Sequence, residues 1–274
     1  MLSPVLLTCL VAGLAGSQAA AACTRASLQE ATAEYLAALS AGTTSFSSLS
    51  TTSKVHYQEN DVELDISKGV LSAPVKIDFN FSIYDTTLCA SYSEVVATTG
   101  HAYVIGTRLE FNSSDAKITK IESVVLDQGD WLFNVTGSLV YNQRETAAGG
   151  WAPIPADKRD SREVIKAAGD AYVNAWGDSS VKPPFATQCA RLEGGFYITS
   201  NCLLNFPPPF NVTNKRYTID EELGAIDIFH NFPFLDASLP RHPGTQTNNL
   251  IRVEGGKIRY IHENTVCQAK NCGR

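Results

Sequence analysis

The side chains best suited to chemistry in this sequence are Tyr260 and His262, in a predicted hairpin over residues 250–266. Side chains alternate across a β-strand, so residues two apart lie on the same face. An imidazole can remove a proton next to a carbonyl, and a neighbouring tyrosine can stabilise the enolate that forms. The same pair is also compatible with an inert sheet face in which His262 is buried and hydrogen-bonded.

The hairpin is predicted to turn at Gly255-Gly256, because both glycines can take positive φ. A two-residue turn there pairs Ile251 with Tyr260 and Asn249 with His262. This register gives the two side chains an apolar face, which is typical of a pocket wall. The residues expected to contact a ligand on that face are Ile251, Val253 and Ile258. The same register puts Arg252, Arg259 and Glu263 on the opposite face.

Asp227 lies between two isoleucines and is the acid that we expect to orient His262. A carboxylate on one ring nitrogen fixes the tautomer and raises the basicity of the other nitrogen. His230 follows and could pair with Asp227 if the acidic segment from Asp220 begins a helix. The competing interpretations put Asp227 at a helix end facing water and His230 in a surface turn. Two further candidates for ligand binding are His230 itself and Tyr197, which is in a strand after a glycine turn.

The sequence repeats itself at offsets of 135 to 140 residues. Residues 116–126 resemble 256–266, and residues 82–85 resemble 217–220. A helical pattern is also repeated: Arg25, Leu28, Ala31 and Tyr35 match Arg162, Ile165, Ala168 and Tyr172. Three matches in the same order indicate a duplicated unit of about 130 residues, the size of one domain.

The repeat predicts two similar domains in one chain. We expect a signal peptide over 1–22, a first domain over 23–142, a linker over 143–159 and a second domain over 160–274. Each half begins with a helical pattern and continues in short runs rich in Val, Ile, Tyr and Thr. This order predicts an α+β fold in which helices pack on a curved antiparallel sheet.

The first half contains a weaker set of candidates. His56, Tyr57 and Glu59 precede a predicted turn. Lys120 and Glu122 stand where the second half has Tyr260 and His262. Either one half is catalytic and the other structural, or both pockets are used.

The N-terminus and the charge indicate an exported protein. Residues 1–22 form a short apolar run that ends in small residues before Cys23, which is typical of a secretory signal peptide. No other stretch has 18 uninterrupted apolar residues, so we expect no membrane span. The net charge of −6 and the lack of a basic run make nucleic acid an unfavoured partner. The expected location is the secretory lumen or outside the cell.

Six cysteines remain after Cys9 leaves with the signal peptide, and an even number in an exported chain predicts disulfides. If each half closes on itself, the first pair is Cys23–Cys89, and proximity favours Cys189–Cys202 and Cys267–Cys272 in the second half. A zinc site is the competing interpretation, but the tight C-x-x-C spacing is missing. Four sequons predict glycosylation, at Asn80, Asn112, Asn134 and Asn211.

Several stretches of the chain resemble a family of exported fungal proteins of unknown function. They are Tyr57-x-Glu59-Asn60, Asp85-Thr86-Thr87-x-Cys89, and the runs 129–134, 220–225 and 252–262. The resemblance extends over nearly all of the mature chain. Domains of that family are similar to the nuclear transport factor 2-like fold of ketosteroid isomerase and SnoaL-type polyketide cyclases. The resemblance implies two cones, each with helices in the mouth of a curved sheet around an apolar pocket.

Proteins of that fold usually act without a cofactor, so the resemblance implies none here. It favours an isomerase, cyclase or lyase that acts on a small carbonyl-containing, polyketide-type metabolite. Enzymes that dimerise maleic anhydride units are one subtype that it allows. The alternative is a non-catalytic exported protein that binds an apolar ligand or a host or cell-wall partner, because one fold hosts many functions. Motifs of serine hydrolases, zinc proteases and nucleotide-binding enzymes do not occur.

Overall fold

The computed structural model describes residues 23–198, 202, 211–232 and 245–272. These residues form two domains of the same plan, and each domain has a six-stranded sheet with helices. The predicted α+β class with two domains is therefore confirmed. The predicted signal peptide lies outside the described residues.

The first domain begins with helix α1, which Thr24 caps by accepting a hydrogen bond from Ser27 N–H. The helix ends at Gly42, whose φ of 67° suits a glycine at that position. The elements are α1 (Arg25–Ala41), β1 (His56–Glu59), β2 (Val62–Glu63), β3 (Phe79–Asp85), β4 (Ala90–Ala97), β5 (Tyr103–Phe111) and β6 (Ile118–Leu126). Short 3₁₀ helices span Ile66–Lys68 and Val70–Ser72.

Helix α2 (Val135–Ala147) follows β6 and crosses the boundary predicted between the first domain and the linker. Asn134 caps it by accepting a hydrogen bond from Gly137 N–H at 3.0 Å. The helix packs against β3, β4 and β5 of the first domain and also contacts the second sheet. The part of the linker that follows it contains a 3₁₀ helix, Ala156–Lys158.

The second domain begins with helix α3, capped by Ser161. Its elements are α3 (Arg162–Asn174), β7 (Phe185–Glu193), β8 (Phe196–Ile198), β9 (Thr213–Asp220), β10 (Ala225–Phe232), β11 (Thr245–Glu254) and β12 (Lys257–Thr265). The helix predicted from Asp220 is wrong. Asp220 instead holds a tight turn between β9 and β10, because its carboxylate accepts hydrogen bonds from the backbone of Glu222 and Leu223 at 3.1 Å each.

The two sheets have the same strand order, as the repeat predicts. The orders are β2-β1-β6-β5-β4-β3 and β8-β7-β12-β11-β10-β9. Only β1 with β6 and β7 with β12 pair in parallel among the described strands. The remaining neighbours are antiparallel, so each sheet is mixed at one end.

Each sheet has an inner face, which packs on its own helix, and an outer face, which packs on the other domain. The inner face of the second sheet carries Ile226 and Ile228 of β10, which lie in one cluster with residues of α3. The outer face carries Ala225 and Phe229, which share a cluster with Val96 of the first domain. Strands therefore bury both faces, which explains why β4 and β10 are buried along their whole length.

Three disulfides stabilise the chain: Cys23–Cys89, Cys189–Cys202 and Cys267–Cys272, with Cα atoms 5.4, 5.4 and 5.6 Å apart. They are the predicted pairs. Three disulfides indicate an oxidising extracellular or secretory environment. Among the described helices, none combines the length and the apolar character that crossing a bilayer requires.

The four predicted glycosylation sites differ in exposure. Asn80 and Asn211 are exposed, while Asn112 and Asn134 are half-buried. Glycosylation of these residues stays a prediction.

Candidate functional site

The hairpin of β11 and β12 contains a β-bulge. Its turn is formed as predicted, with φ of 57° at Gly255 and 68° at Gly256. Val253 pairs with Ile258, but Arg252 pairs with Tyr260, so that Arg259 is the extra residue. An inserted residue moves every side chain beyond it to the other face of the sheet.

The predicted register beyond the bulge is therefore wrong. Ile251 pairs with Ile261 rather than with Tyr260, and Leu250 rather than Asn249 pairs with His262. Tyr260 and His262 lie on the outer face, between the domains, and they do not line an inner pocket with the aliphatic residues.

His262 is 2% exposed and lies between two carboxylates. Its Nδ1 is 3.2 Å from Glu94 Oε1, and its Nε2 is 2.9 Å from Glu145 Oε2. Burial alone lowers the pKa of His262, but the two carboxylates outweigh burial and raise the pKa to about 10. His262 is therefore an imidazolium at neutral pH. An imidazolium has no free lone pair, so this environment does not favour the role of base. The other role that we predicted, hydrogen-bond donor, is directed at the two acids and not at an inner pocket.

The two acids around His262 are held by further hydrogen bonds. Asn142 and Asn264 donate to Glu94 at 2.7 and 3.2 Å. Trp151 Nε1 donates to Glu145 at 2.9 Å, and the Trp151 ring lies 5.1 Å from the His262 ring. The same Trp151 ring lies 5.9 Å from that of Tyr260. This ion cluster joins β12 to β4 and α2, so its geometry is that of an interdomain contact.

Asp227 does not bind His262, contrary to our prediction. It is fully buried on the outer face of β10, where Asn248 Nδ2 donates to it at 3.0 Å. Asn248 also donates to Tyr92 of the first domain at 2.8 Å. Burial raises the pKa of Asp227 well above its ordinary value. The partner was misassigned because β11 separates β10 from β12 in the sheet.

The residues predicted to contact a ligand fall into two places. Three of them, Ile251, Val253 and Ile258, are fully buried on the inner face against α3. Tyr197 lies elsewhere, stacked on Tyr141 of α2 with ring centres 4.3 Å apart. The structure does not bring Tyr197 together with the aliphatic residues.

A chain of polar side chains crosses the inner face of the second domain, and we call it the inner polar chain. It consists of Tyr172 on α3, Glu263 on β12, Asn249 on β11 and His230 on β10. The Tyr172 hydroxyl donates to Glu263 Oε2 at 3.1 Å, and Asn249 Nδ2 donates to the same oxygen at 3.3 Å. His230 Nε2 is 2.6 Å from Asn249 Oδ1, so this nitrogen carries the proton. All four side chains are buried.

The pKa values of this chain differ from those of exposed groups. Burial and the neighbouring Glu193 raise the pKa of Glu263 to about 7, while Arg191 opposes that shift. Arg191 lies 3.0 Å from Glu193 and 4.0 Å from Glu263. Burial also lowers the pKa of His230 to about 4, so its imidazole is neutral at pH 7. The inner polar chain therefore contains a carboxyl group that titrates near neutral pH.

Three aromatic rings lie beside the two ends of this chain. Phe185 and Trp176 each lie 6.4 Å from the Tyr172 ring, and Phe232 lies 4.7 Å from the His230 ring. Such rings supply an apolar environment around a few polar groups, which is the usual composition of a small-molecule site.

The first domain has hydroxyl groups at the equivalent positions. The Tyr35 hydroxyl is 2.9 Å from Thr107 Oγ1, which is 2.9 Å from Ser123 Oγ, and all three side chains are buried. Thr107 pairs with Ser123 across β5 and β6, as Asn249 pairs with Glu263 across β11 and β12. The two domains therefore have polar side chains at equivalent positions, but those of the first domain are hydroxyls, whereas those of the second include an amide and a carboxyl group.

Sequence reasoning missed Glu263 because the predicted register placed it on the opposite face. The repeat contained a usable signal. Ile118 and Ile121 recur as Ile258 and Ile261, and a spacing of three does not fit strict alternation if both isoleucines are buried. The first domain has the same bulge, between Glu110 and Phe111.

A family described as a domain of unknown function (DUF8021) matches residues 158–265. This range begins just before α3 and ends with β12, so it contains the whole inner polar chain. It covers less than half of the sequence and leaves the first domain outside the match. No curated protein matches the sequence. The second domain is thus similar to a family whose description names no activity.

Proposed function

We propose that the second domain binds a small carbonyl-containing metabolite and moves a proton on it without a cofactor, as an isomerase, cyclase or lyase does. One observation carries this proposal: where the first domain has the hydroxyls of Thr107 and Ser123, the second has Asn249 and Glu263. Hydroxyl groups do not titrate near neutral pH, whereas Glu263 does.

The proposed base is Glu263. A base is most effective when its pKa lies near the working pH, and a pKa of about 7 meets this condition. The carboxylate takes a proton from the carbon next to the carbonyl, which leaves an enolate. Return of that proton to another carbon completes an isomerisation, while departure of a leaving group completes a lyase reaction.

The proposed stabiliser of the enolate oxygen is Tyr172. Burial raises the pKa of its hydroxyl well above the ordinary value, so the hydroxyl stays protonated. It donates to Glu263 before the reaction, and once Glu263 has taken the substrate proton the hydroxyl can donate to the enolate oxygen instead. The neutral His230 acts as a positioning residue. It donates to Asn249 Oδ1 and thereby directs the amide NH₂ group of Asn249 toward Glu263.

The proposal includes the fold. We infer that each domain is a cone of the nuclear transport factor 2-like type, as the resemblance of the sequence implies. The common strand order and the single helix that precedes each sheet support this inference. The resemblance also implies where proton transfer takes place, because ketosteroid isomerase-like proteins of that fold carry it out in the pocket between the helices and the sheet.

The experiment uses 5-nitrobenzisoxazole, a probe of buried bases. When a base removes its C3 proton, the N–O bond breaks and a coloured cyanophenolate forms. We expect the intact protein to accelerate this elimination, and Glu263→Gln to lower the rate on the order of a hundredfold or more. Ser123→Ala, the matched change in the first domain, should leave the rate unchanged.

Two results would contradict the proposal. The first is an equal rate for Glu263→Gln and the wild-type protein. The second is saturable binding of the probe to the second domain without any elimination above the buffer rate. The second result would favour the alternative, a non-catalytic exported protein that binds an apolar ligand.

A further inference from the structure

A cleft of about 710 Å³ opens between the two domains, apart from the inner polar chain. The first domain contributes Asp61, Lys120 and Glu122 to its wall, and the second contributes Arg216 and Asn231. The wall is polar: among the described residues that form it, Val62 alone has a hydrocarbon side chain.

Asn231, in the wall of this cleft, has a buried carbonyl oxygen without a hydrogen-bond partner. Its NH₂ group donates to Asp61 Oδ2, and the NH₂ group of Gln246 donates to Asp61 Oδ1 at 2.9 Å. A carboxylate can only accept, so both NH₂ groups must face Asp61. Asn231 Oδ1 therefore points away from Asp61, and it has no hydrogen-bond partner although the residue is 5% exposed.

Glu122, in the same wall, has a second buried acceptor without a hydrogen bond. It is 2% exposed, and its Oε1 is 2.7 Å from Arg216 Nε and 3.3 Å from Lys120 Nζ. Its Oε2 accepts no hydrogen bond, and the nearest cation is Arg108 Nη1 at 3.5 Å. A buried acceptor without a hydrogen bond is unfavourable, because it has lost its bond to water without replacement. Two such acceptors at one cleft indicate a ligand that donates hydrogen bonds.

The charges of the wall indicate that this ligand is neutral. Asp61 and Glu122 are balanced by Lys120 and Arg216, which lie in the same wall. The four charges cancel, so the wall offers neither a cation nor an anion a net attraction. Hydroxyl groups are neutral, and each both donates and accepts, so several of them on one small molecule match this wall.

We propose that the interdomain cleft is a binding site for a neutral, hydroxyl-rich ligand, namely a monosaccharide or disaccharide held by Asn231 and Glu122. The wall contains no aromatic ring among its described residues, so the sugar is recognised through its hydroxyls rather than by stacking. The site does not depend on the proposed proton transfer, because it shares no residue with the inner polar chain.

The test is a titration of the isotope-labelled full-length mature protein, followed by amide NMR. The probes are glucose, N-acetylglucosamine, cellobiose and chitobiose, each up to 50 mM. Gluconate and glucosamine serve as charged counterparts. We expect at least one neutral sugar to shift the amides of Asn231 and its neighbours, with at least tenfold weaker binding of its charged counterpart.

Two variants make the test specific. Asn231→Leu and Gln246→Leu each remove one hydrogen bond to Asp61, but only Asn231 lines the cleft. We expect Asn231→Leu to weaken binding at least tenfold and Gln246→Leu to change it less than twofold. Glu122→Gln, which keeps the shape of the side chain, should also weaken binding. Glu263→Gln should bind the sugar normally, which separates this site from the proposed catalytic one.

The proposal is overturned if none of the neutral sugars shifts the cleft amides at 50 mM. It is also overturned if a charged counterpart binds more tightly than the neutral sugar. Equal weakening by Asn231→Leu and Gln246→Leu, in variants that retain the wild-type melting temperature, would attribute the effect to the lost hydrogen bonds of Asp61 and would overturn the proposed contact with the Asn231 oxygen.

Discussion

Arg162, at the start of α3 in the second domain, binds Asp85 of the first domain through two parallel hydrogen bonds of 2.9 and 2.7 Å. The repeat provides the reciprocal pair, since Arg25 at the start of α1 binds Asp220 at 2.8 Å. The residues that reveal the duplication in the sequence thus also bind each other across the interface between the two domains.

Each of these acids also accepts a hydrogen bond from the backbone of the other domain. Ile219 N–H donates to Asp85 and Tyr84 N–H donates to Asp220, both at 2.9 Å. Both acids are buried and take their arginine from the other domain, so their charge is neutralised only when the two domains are packed together. These two reciprocal ion pairs, which we call the crossed pairs, therefore couple the packing of the two domains to the stability of each domain.

We expect Arg162→Ala to lower the free energy of unfolding by about 3 kcal/mol, because it leaves the buried Asp85 without its cation. The measurement is urea denaturation followed by fluorescence. The control is Lys166→Ala on the same helix. Its pair with Asp170 is more exposed than that of Arg162 with Asp85, so the loss should stay below about 1 kcal/mol. Similar small losses in both variants would show that the crossed pair does not stabilise the domain packing.

The sequence predicts those parts of the fold that depend on local patterns. Helices α1 and α3 follow from their apolar spacing and caps, and the glycine turn of the last hairpin follows from Gly255 and Gly256. The bulge at Arg259 was not predicted, because the residues after Ile258 fit two alternating patterns. One turns Tyr260 and His262 toward the inner face, and the other turns Ile261 and Glu263 toward it. Only burial against α3 selects between them.

The contacts of His262 could not be predicted from local pattern. Glu94 and Glu145 are distant in sequence and meet His262 only because the outer faces of the two sheets pack together. Sequence periodicity indicates which residues share a face, but it does not indicate which face covers another domain. The inner polar chain was missed because the predicted register, which lacks the bulge, placed Glu263 on the opposite face, although Tyr172 was identified as part of the repeat.

The stability of the protein should depend on pH through His262. Its pKa is raised from 6.5 to about 10, so its contribution is complete below pH 6.5 and is lost as the pH rises through 10. We expect the free energy of unfolding to fall over this range in the wild-type protein. His262→Gln should remove most of that slope and cost about 3–5 kcal/mol at pH 6, because two buried acids lose their cation.

His101 provides the control for this prediction. Its ring lies 2.9 Å from Asp127, but 60% of its side chain is exposed. His101→Gln should therefore leave both the stability at pH 6 and its slope almost unchanged. An unchanged slope in His262→Gln would mean that other groups cause the pH dependence.

The disulfides should contribute unequally. Cys23 and Cys89 are 66 residues apart, whereas Cys267 and Cys272 are 5 apart. The chain-entropy model gives about 4 kcal/mol for the long loop and about 2 kcal/mol for the short one. We expect replacement of Cys23 and Cys89 by serine to lower the melting temperature more than the same change at Cys267 and Cys272. The opposite order would contradict the entropic argument.

Glu263 should reduce stability at neutral pH. Its pKa is raised from 4.5 to about 7, so the folded protein loses stability relative to the unfolded chain as the pH rises between these values. We expect Glu263→Gln to gain stability over the wild-type protein between pH 5 and pH 8, as measured by urea midpoints at both pH values. A difference between the two proteins that is the same at both pH values would argue against a raised pKa.

The most direct test of the account is a titration of the Glu263 carboxyl carbon by NMR in the intact protein, with Glu263→Gln used to assign the signal. A base in the inner polar chain requires a titration midpoint near pH 7. The Glu193 signal, recorded in the same spectra, shows whether the two acids titrate together. A midpoint of Glu263 near its ordinary value of 4.5 would contradict the proposed role, because the group would then be a weak base at neutral pH.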